Sequence, residues 1–368
     1  MIIAVDAREL AGKPTGVGRY LASLLREWST LPEAARHRFI VFAPEPIAVP
    51  EGLDARTRVV PGHGGFAWEQ IRFPSALRKE RPRPDVLFAP GYSAPVLAAR
   101  IPTVVTIHDV SFFAHPEWFR PREGIRRRWT TWAAARTARI VLTVSQFSGA
   151  EIERLLGVPS SRVRVTMNAV NRLDAAGNAG NGDMPERGPL VLYVGSIFNR
   201  RRVPDLIAAF GDVAAAIPDA RLEIVGEDRT YPAEDLAGAV ERSHARDRIR
   251  LRSYVTDDEL AELYARASVF VFLSEYEGFG LTPLEALARG VPPVVLDTPV
   301  AREVYKDAAL YVAPGDVAGT AAAITTLIAD SLERRHILGR AAGILEEYSW
   351  PRLARETLEA IEAAAGGA

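Results

Sequence analysis

The feature that most constrains this chain is an alternation that runs twice. Short, apolar, β-rich runs, several of them continuously apolar, take turns with longer amphipathic stretches. In the first half the runs predict strands at Ile2–Val5, Phe39–Phe42, Arg58–Val60, Val86–Phe88, Thr103–Ile107 and Ile140–Val144. Helical periods lie between them at Tyr20–Trp28, Trp68–Lys79, Ile125–Ala138 and Ser148–Leu156. Strands apolar on both faces belong in parallel sheets covered by helices. The stretch 171–189 is rich in Gly, Asn, Asp and Pro and has no period, so it reads as a linker. The alternation then restarts, with strands at Leu190–Val194, Leu222–Val225, Ile249–Leu251, Val269–Leu273 and Val294–Leu296. The expectation is an α/β protein of two Rossmann-like, doubly wound domains facing each other across a cleft. The predicted boundaries are 1–170, a linker at 171–189, 190–348, and a terminal helix at 349–368 opened by Ser349 and Pro351.

At 368 residues the chain is long enough for two cores. A formal net charge of -1 argues against a nucleic-acid binder. The lack of cysteine removes disulfides and thiolate chemistry. No apolar run is long enough to span a membrane, and MIIAVDAREL lacks the features of a secretory leader, so a cytoplasmic location is expected.

Four motifs could carry chemistry. In GVGRY, Gly16 and Gly18 stand at a helix start, where free N–H groups and the dipole suit an anion; a plain tight turn is the other reading. In VGSIFNRRR, Arg200, Arg201 and Arg202 follow a strand and precede a helix, which suits a diphosphate; a solvated basic patch is the alternative. In SEYEGFGLTPLEALARG, Glu277 and Glu285 flank the turn Gly278-Phe279-Gly280. Backbone N–H groups there could meet phosphate, and the carboxylates could accept from sugar hydroxyls. Thr282-Pro283-Leu284-Glu285 also fits a capping box, with Thr282 as the cap and Glu285 doing no more than holding the helix start. In TIHDVSFF, His108 and Asp109 close an apolar strand; His108 is either functional or a satisfied structural histidine. There is no phosphate-loop signature, no Asp-x-Asp pair and no metal-ligand spacing among the histidines, so no metal and no cofactor are expected.

These residues resemble a known family. EGFGLTPLEALARG is similar to the glutamate–seven-residues–glutamate motif of retaining glycosyltransferases with the GT-B fold, in the large family numbered four. GVGRY, GFAWEQIRFP, PDVLFAPGYSAP, PTVVTIHDVSFFAHPEWF, TVSQFSGAEI, VGSIFNRRRVPDLIAAF and the terminal YSW helix follow in that family's usual order. The resemblance implies that Gly16 and Gly18 pack on the donor diphosphate, and that Arg200 and Arg201 neutralise it. It places Glu277 on the donor sugar with the backbone of Gly278, Phe279 and Gly280. The N–H groups of Leu281 and Thr282 meet the distal phosphate, Glu285 holds the ribose, and His108 sits near the reacting centre. It implies an acceptor-side first domain, a donor-side second domain and a terminal helix crossing back onto the first.

The family's usual Arg-Lys pair reads Arg200-Arg201 here, and Arg202 leaves the register open by one residue. Thr282 stands where proline is common, and Asn168-Ala169 replaces Asn-Gly. The implied co-substrate is a GDP- or UDP-sugar, the favoured sugar is mannose-like, and the acceptor is a saccharide or lipid-linked saccharide. A nucleotide-sugar epimerase or a non-catalytic nucleotide-sugar-binding protein on the same fold are the competing readings. A phosphorylase is disfavoured because Lys306 is the sole lysine after the linker. Finally, the stretch Ser111 to Trp132 mixes aromatics with Arg120, Arg122, Arg126, Arg127 and Arg128, flanked by Arg136 and Arg139. It reads either as a surface for anionic lipid at the inner face of a membrane or as a solvated helix face over a buried aromatic stripe.

Overall fold

A computed structural model describes residues 1–12, 16–98, 100–171 and 187–366. The chain forms two compact units. The first comprises Met1–Ala114, Pro121–Ala169 and Ser349–Ala368; the second comprises His115–Arg120 and Val170–Tyr348. Most of the expected linker, 172–186, lies outside the described residues.

The first unit holds a seven-stranded parallel sheet, ordered β3-β2-β1-β4-β5-β6-β7. Its strands are β1 (Ile2–Asp6), β2 (Arg38–Ala43), β3 (Ala55–Val59), β4 (Val86–Ala89), β5 (Thr103–Thr106), β6 (Ile140–Thr143) and β7 (Val163–Val165). Its helices are α1 (Gly16–Trp28), α2 (Phe73–Lys79), α3 (Ser111–Ala114), α4 (Pro121–Thr137) and α5 (Gln146–Leu156). The second unit holds a six-stranded parallel sheet, ordered β10-β9-β8-β11-β12-β13. These are β8 (Leu190–Val194), β9 (Arg221–Val225), β10 (Ile249–Arg252), β11 (Ala267–Phe272), β12 (Pro293–Leu296) and β13 (Leu310–Val312). Its helices are α6 (Val203–Ala216), α7 (Leu236–Glu241), α8 (Asp257–Arg266), α9 (Leu281–Ala288), α10 (Pro299–Tyr305), α11 (Val317–Ala329) and α12 (Ser331–Glu347). The terminal helix α13 (Trp350–Gly366) returns to the first unit.

The apolar runs do what such runs must. β1, β2, β4, β5 and β6 are almost wholly buried, as strands covered on both faces are. α13 is held there by side chains at helical spacing. Leu353, Ala354, Leu358, Ile361 and Ala364 join Leu21, Leu24, Trp28 and Val41 in one core cluster. The Trp28 indole N–H donates to the Ala354 carbonyl at 2.9 Å.

In each sheet the connections reverse direction at one point: between β1 and β4, and between β8 and β11. In doubly wound sheets the loops leaving the carboxyl ends of the strands at that switch are where ligands bind.

Two expectations about elements are corrected. α1 begins at Gly16 rather than Tyr20, so the glycines lie within its first turn. α9 begins at Leu281, with Gly280 (φ 89°) as its cap, so Thr282 is not the cap and no capping box forms. The helix is capped two residues earlier than the Thr-x-x-Glu spacing suggests, at a left-handed bend that only glycine fits. A Cβ on Gly280 would stand 2.1 Å from the Tyr305 hydroxyl, which donates to the Gly280 carbonyl at 2.8 Å.

Candidate active site

In the second unit the loop after β8 carries Gly195 to Arg202, and the loop after β11 carries Leu273 to Gly280. They meet at Glu277. Arg201 donates from Nε to Glu277 Oε1 at 3.1 Å and from Nη1 to the Ser196 carbonyl at 2.9 Å. Its guanidinium lies over the Phe272 ring at 4.8 Å. Gly195 leaves the room: a Cβ there would stand 2.5 Å from Arg201 Nη1. Ser274 Oγ donates to the same Glu277 oxygen at 2.8 Å.

Arg200 is placed differently. Its Nε is 3.7 Å from Glu277 Oε1, beyond hydrogen-bond reach, and that buried nitrogen has no partner. Its guanidinium rests on the Phe198 ring at 4.5 Å. A buried donor with nothing to bond is costly unless a ligand satisfies it. Arg202, at φ 47°, turns away to Asp205 (2.6 Å) and Glu275 (2.8 Å). The pair gathered on Glu277 is therefore Arg200 and Arg201, and Arg202 stands outside it.

α9 points its start at this cluster's own loop. The first N–H groups of any helix have no partner within it, and here those include Leu281 and Thr282. Thr282 Oγ1 is buried without a partner. Glu285 sits one turn into α9. With burial as the larger cause, its carboxylate helps push the Tyr264 phenol of α8 well above the ordinary tyrosine range. Phe279 is buried edge-on against Tyr348 at 5.1 Å. His115 stacks on Trp118 at 3.9 Å and meets Tyr276 edge-on at 5.5 Å, so the segment His115–Arg120 lies beside the loop that carries Glu277.

In the first unit His108 follows β5, and its Nε2 lies 2.8 Å from the Pro90 carbonyl. A carbonyl only accepts, so Nε2 carries the proton and Nδ1 is the basic nitrogen. Burial pushes the imidazole pKa below its ordinary value, against the opposing pull of the Pro90 carbonyl and Asp109. The ring packs edge-on against Tyr20 of α1 at 5.0 Å and against Tyr92 at 5.5 Å. Val17, between Gly16 and Gly18, abuts Gly91, where an added Cβ would meet it at 2.8 Å. The start of α1, the 90–93 loop and His108 are thus one cluster.

Sequence reasoning passed over Tyr92, whose left-handed backbone (φ 55°) is unusual for an aromatic residue and whose hydroxyl donates to Asp109 Oδ2 at 3.0 Å. It also passed over a buried ionic group at the end of β1. Arg8 reaches Glu69 Oε1 at 2.7 Å and Asp6 Oδ2 at 3.2 Å. Burial pushes the Asp6 carboxyl up to about 6, with Arg8 opposing. An acid closing an otherwise apolar strand was the available signal.

Among the described residues no three His, Cys, Asp or Glu side chains group to hold a metal ion, and no helix is long and apolar enough to cross a membrane.

Comparison with known proteins bears on the family and the fold. Residues 14–172 match the family described as Glycosyltransferase Family 4, and residues 179–343 the family described as Glycosyl transferases group 1. The O-antigen chain mannosyltransferase B of Escherichia coli is 28% identical over 378 residues, covering 95% of this chain and 96% of that protein. A glycogen synthase of Mycobacterium tuberculosis is 28% identical over 295 residues, covering 77% and 70%. Among solved structures, a sucrose-phosphate synthase from Thermosynechococcus elongatus superposes with a TM-score of 0.76 at 19% identity, covering 100% of both chains. Anabaena HepE, solved in complex with UDP and glucose, gives 0.73 at 18% identity over 99% of this chain and 100% of its own. At such identities the structural likeness speaks for the fold. The chain belongs to the family-four, group 1 glycosyltransferases of the GT-B fold.

Proposed function

We propose that the protein is a retaining hexosyltransferase that moves a mannose-like sugar from a GDP- or UDP-sugar to a saccharide or lipid-linked saccharide, in the making of a polysaccharide or glycolipid. The observation that carries this is the meeting of Arg200 and Arg201 on Glu277 at the switch point of the second sheet. Arg201 is occupied by Glu277 and Ser196 and acts mainly to fix that carboxylate. Arg200 has an unsatisfied buried Nε and is the group that takes up the diphosphate.

Glu277, so held, accepts from donor sugar hydroxyls beside the backbone of Gly278, Phe279 and Gly280. The N–H groups of Leu281 and Thr282 receive the distal phosphate, and Glu285 receives the ribose hydroxyls. The mannosyltransferase relatives support the sugar, and the nucleotide in the HepE structure supports a nucleoside diphosphate.

In the first unit the proposed participants are the α1 start at Gly16 and Gly18, and His108 with its basic Nδ1. In the reaction the bond from the anomeric carbon to the donor phosphate oxygen breaks, and a bond to the acceptor hydroxyl oxygen forms on the same face. The acceptor proton passes to the departing phosphate oxygen. Preorganised arginine and helix N–H groups stabilise the charge that builds there. The sequence has no Asp-x-Asp pair, so turnover is proposed to need no divalent cation.

The test is thermal shift with UDP, GDP, ADP and CDP, with and without EDTA. A ligand at 100 times its dissociation constant stabilises by about 2.7 kcal/mol. One nucleotide shifting the wild type but not Arg200→Ala identifies the donor. No shift with any of them would overturn the donor site and bring forward the binding-protein reading with another ligand. Conversion of the donor sugar without any acceptor would point to epimerisation instead.

A further inference from the structure

α4 is built inside out. The residues it buries are Gly124, Thr130, Thr131, Ala133, Ala134 and Ala135, and its large apolar side chains face solvent. Ile125 is 60% exposed, Trp129 52% and Trp132 44%. A helix that served only its own core would turn those three inward and leave small or polar residues outside.

The spacing i, i+4, i+7 sets Ile125, Trp129 and Trp132 in one stripe. Phe66, 43% exposed, extends it, with its ring 6.2 Å from that of Trp129. A continuous apolar face of this kind marks an interaction site, where scattered exposed residues would not. The buried aromatic stripe expected as one reading of this segment is therefore not what the structure shows.

The charges around the stripe have one sign. Arg122, Arg126 and Arg136 are exposed on α4, and the Arg136 guanidinium lies 5.6 Å over the Trp132 ring. The one acid of the helix, Glu123, is paired with Arg127 at 2.6 Å.

We propose that this face of α4 docks on the surface of an anionic lipid bilayer. The tryptophans enter the headgroup level, where an amphipathic ring is at home, and the arginines meet lipid phosphates. The lipid surface satisfies both observations together: an apolar stripe needing shallow burial, and a cationic rim with no acid left to neutralise it. The proposal goes beyond the transfer reaction and stands without it; for a lipid-linked acceptor it would bring enzyme and substrate to one plane.

The test is flotation of the full chain with vesicles of phosphatidylglycerol and phosphatidylcholine, against vesicles of phosphatidylcholine alone. Binding to the first and not the second is expected, with a blue shift of tryptophan emission. Trp129→Ser with Trp132→Ser should abolish it. Arg122→Gln, Arg126→Gln and Arg136→Gln together should lower the partition about a hundredfold, at roughly fivefold for each charge.

Both variants should keep the wild-type thermal shift with nucleotide, which separates failure of docking from failure of the donor site or of folding. No flotation of the wild type, or flotation unchanged in the tryptophan variant, overturns the proposal. So does self-association of the wild type that the tryptophan variant abolishes in the absence of lipid binding; the face would then be an interface between copies.

Discussion

Arg201 and Glu277, 76 residues of chain apart, share a hydrogen bond of 3.1 Å at the switch point of the second sheet, and Arg200 beside them reaches the same carboxylate only at 3.7 Å. The two arginines should therefore fail differently. Arg201→Ala leaves a largely buried carboxylate with Ser274 alone in hydrogen-bond contact. It should cost about 2–3 kcal/mol of stability, toward the low end for breaking a buried pair because both groups keep some exposure. Arg200→Ala breaks no hydrogen bond of its side chain seen here and should cost less than about 1 kcal/mol. It should nonetheless lose more nucleoside-diphosphate affinity than stability. Urea unfolding and nucleotide titration of the two variants check this; equal stability losses would count against the division of roles.

The Gly280 bend makes a second, sharper test. Gly280→Ala must place a methyl in the left-handed region and within 2.1 Å of the Tyr305 hydroxyl. The backbone cost alone is roughly 1–2 kcal/mol, and the overlap adds to it. Tyr305→Phe removes the hydroxyl and with it a hydrogen bond to the Gly280 carbonyl. The double variant should be more stable than the two single losses added together predict, by about 1 kcal/mol or more. Simple additivity in chemical unfolding would mean that the two residues do not constrain each other.

Much of the architecture was legible because most of its strands are buried on both faces and so read as apolar runs; β3 and β10, which carry arginines and are largely exposed, were read from shorter β-rich stretches. Together these stretches found eleven of the thirteen strands among the described residues. The two missed, β7 and β13, are three-residue edge strands, half exposed, and β7 carries Arg164 in its middle. Nothing in such a run separates strand from loop.

The Gly-rich loop and the arginines were legible as chemistry. Which arginine bonds what was not, since that depends on Phe272 of β11 supplying a face to Arg201 while Phe198 of the same loop carries Arg200. Tyr92 was invisible for a similar reason: an aromatic residue carries no mark of a left-handed backbone, and the Asp109 and His108 that hold it come from the next strand's loop.

The error at Thr282 can be tested directly. The spacing Thr-x-x-Glu is common to caps and to helix interiors, and a left-handed Gly280 decides between them. Had Thr282 been the cap, its replacement would cost about 1 kcal/mol. Its hydroxyl is instead buried and unpaired. Thr282→Val, nearly the same shape, should leave stability unchanged or raise it by up to about 1 kcal/mol. A loss of more than that in thermal unfolding would restore the cap.

His108 ties the first unit's site to pH. Its folded pKa is pushed below the ordinary 6.5 by burial, so folding favours the neutral ring. A group depressed in this way contributes stability that is fully present above 6.5 and is lost as pH falls from there toward the lower folded value. Asp6, raised to about 6 from 3.8, runs the other way: its contribution is complete below 3.8 and disappears as pH rises through 6. The two overlap near pH 5–6, so the wild-type profile alone cannot separate them. His108→Gln can, because an amide still donates to the Pro90 carbonyl but does not titrate. Between pH 8 and pH 5 the wild type should lose stability relative to His108→Gln, with Asp6 acting equally in both. Turnover of the wild type should hold as pH falls through 6.5 and drop only toward the lowered folded value, where Nδ1 takes a proton, while Gln at this position should give low turnover without that pH step. Parallel stability profiles would show that His108 does not titrate differently in the folded chain, and with that the neutral, Nε2-protonated ring assigned to the site would fall.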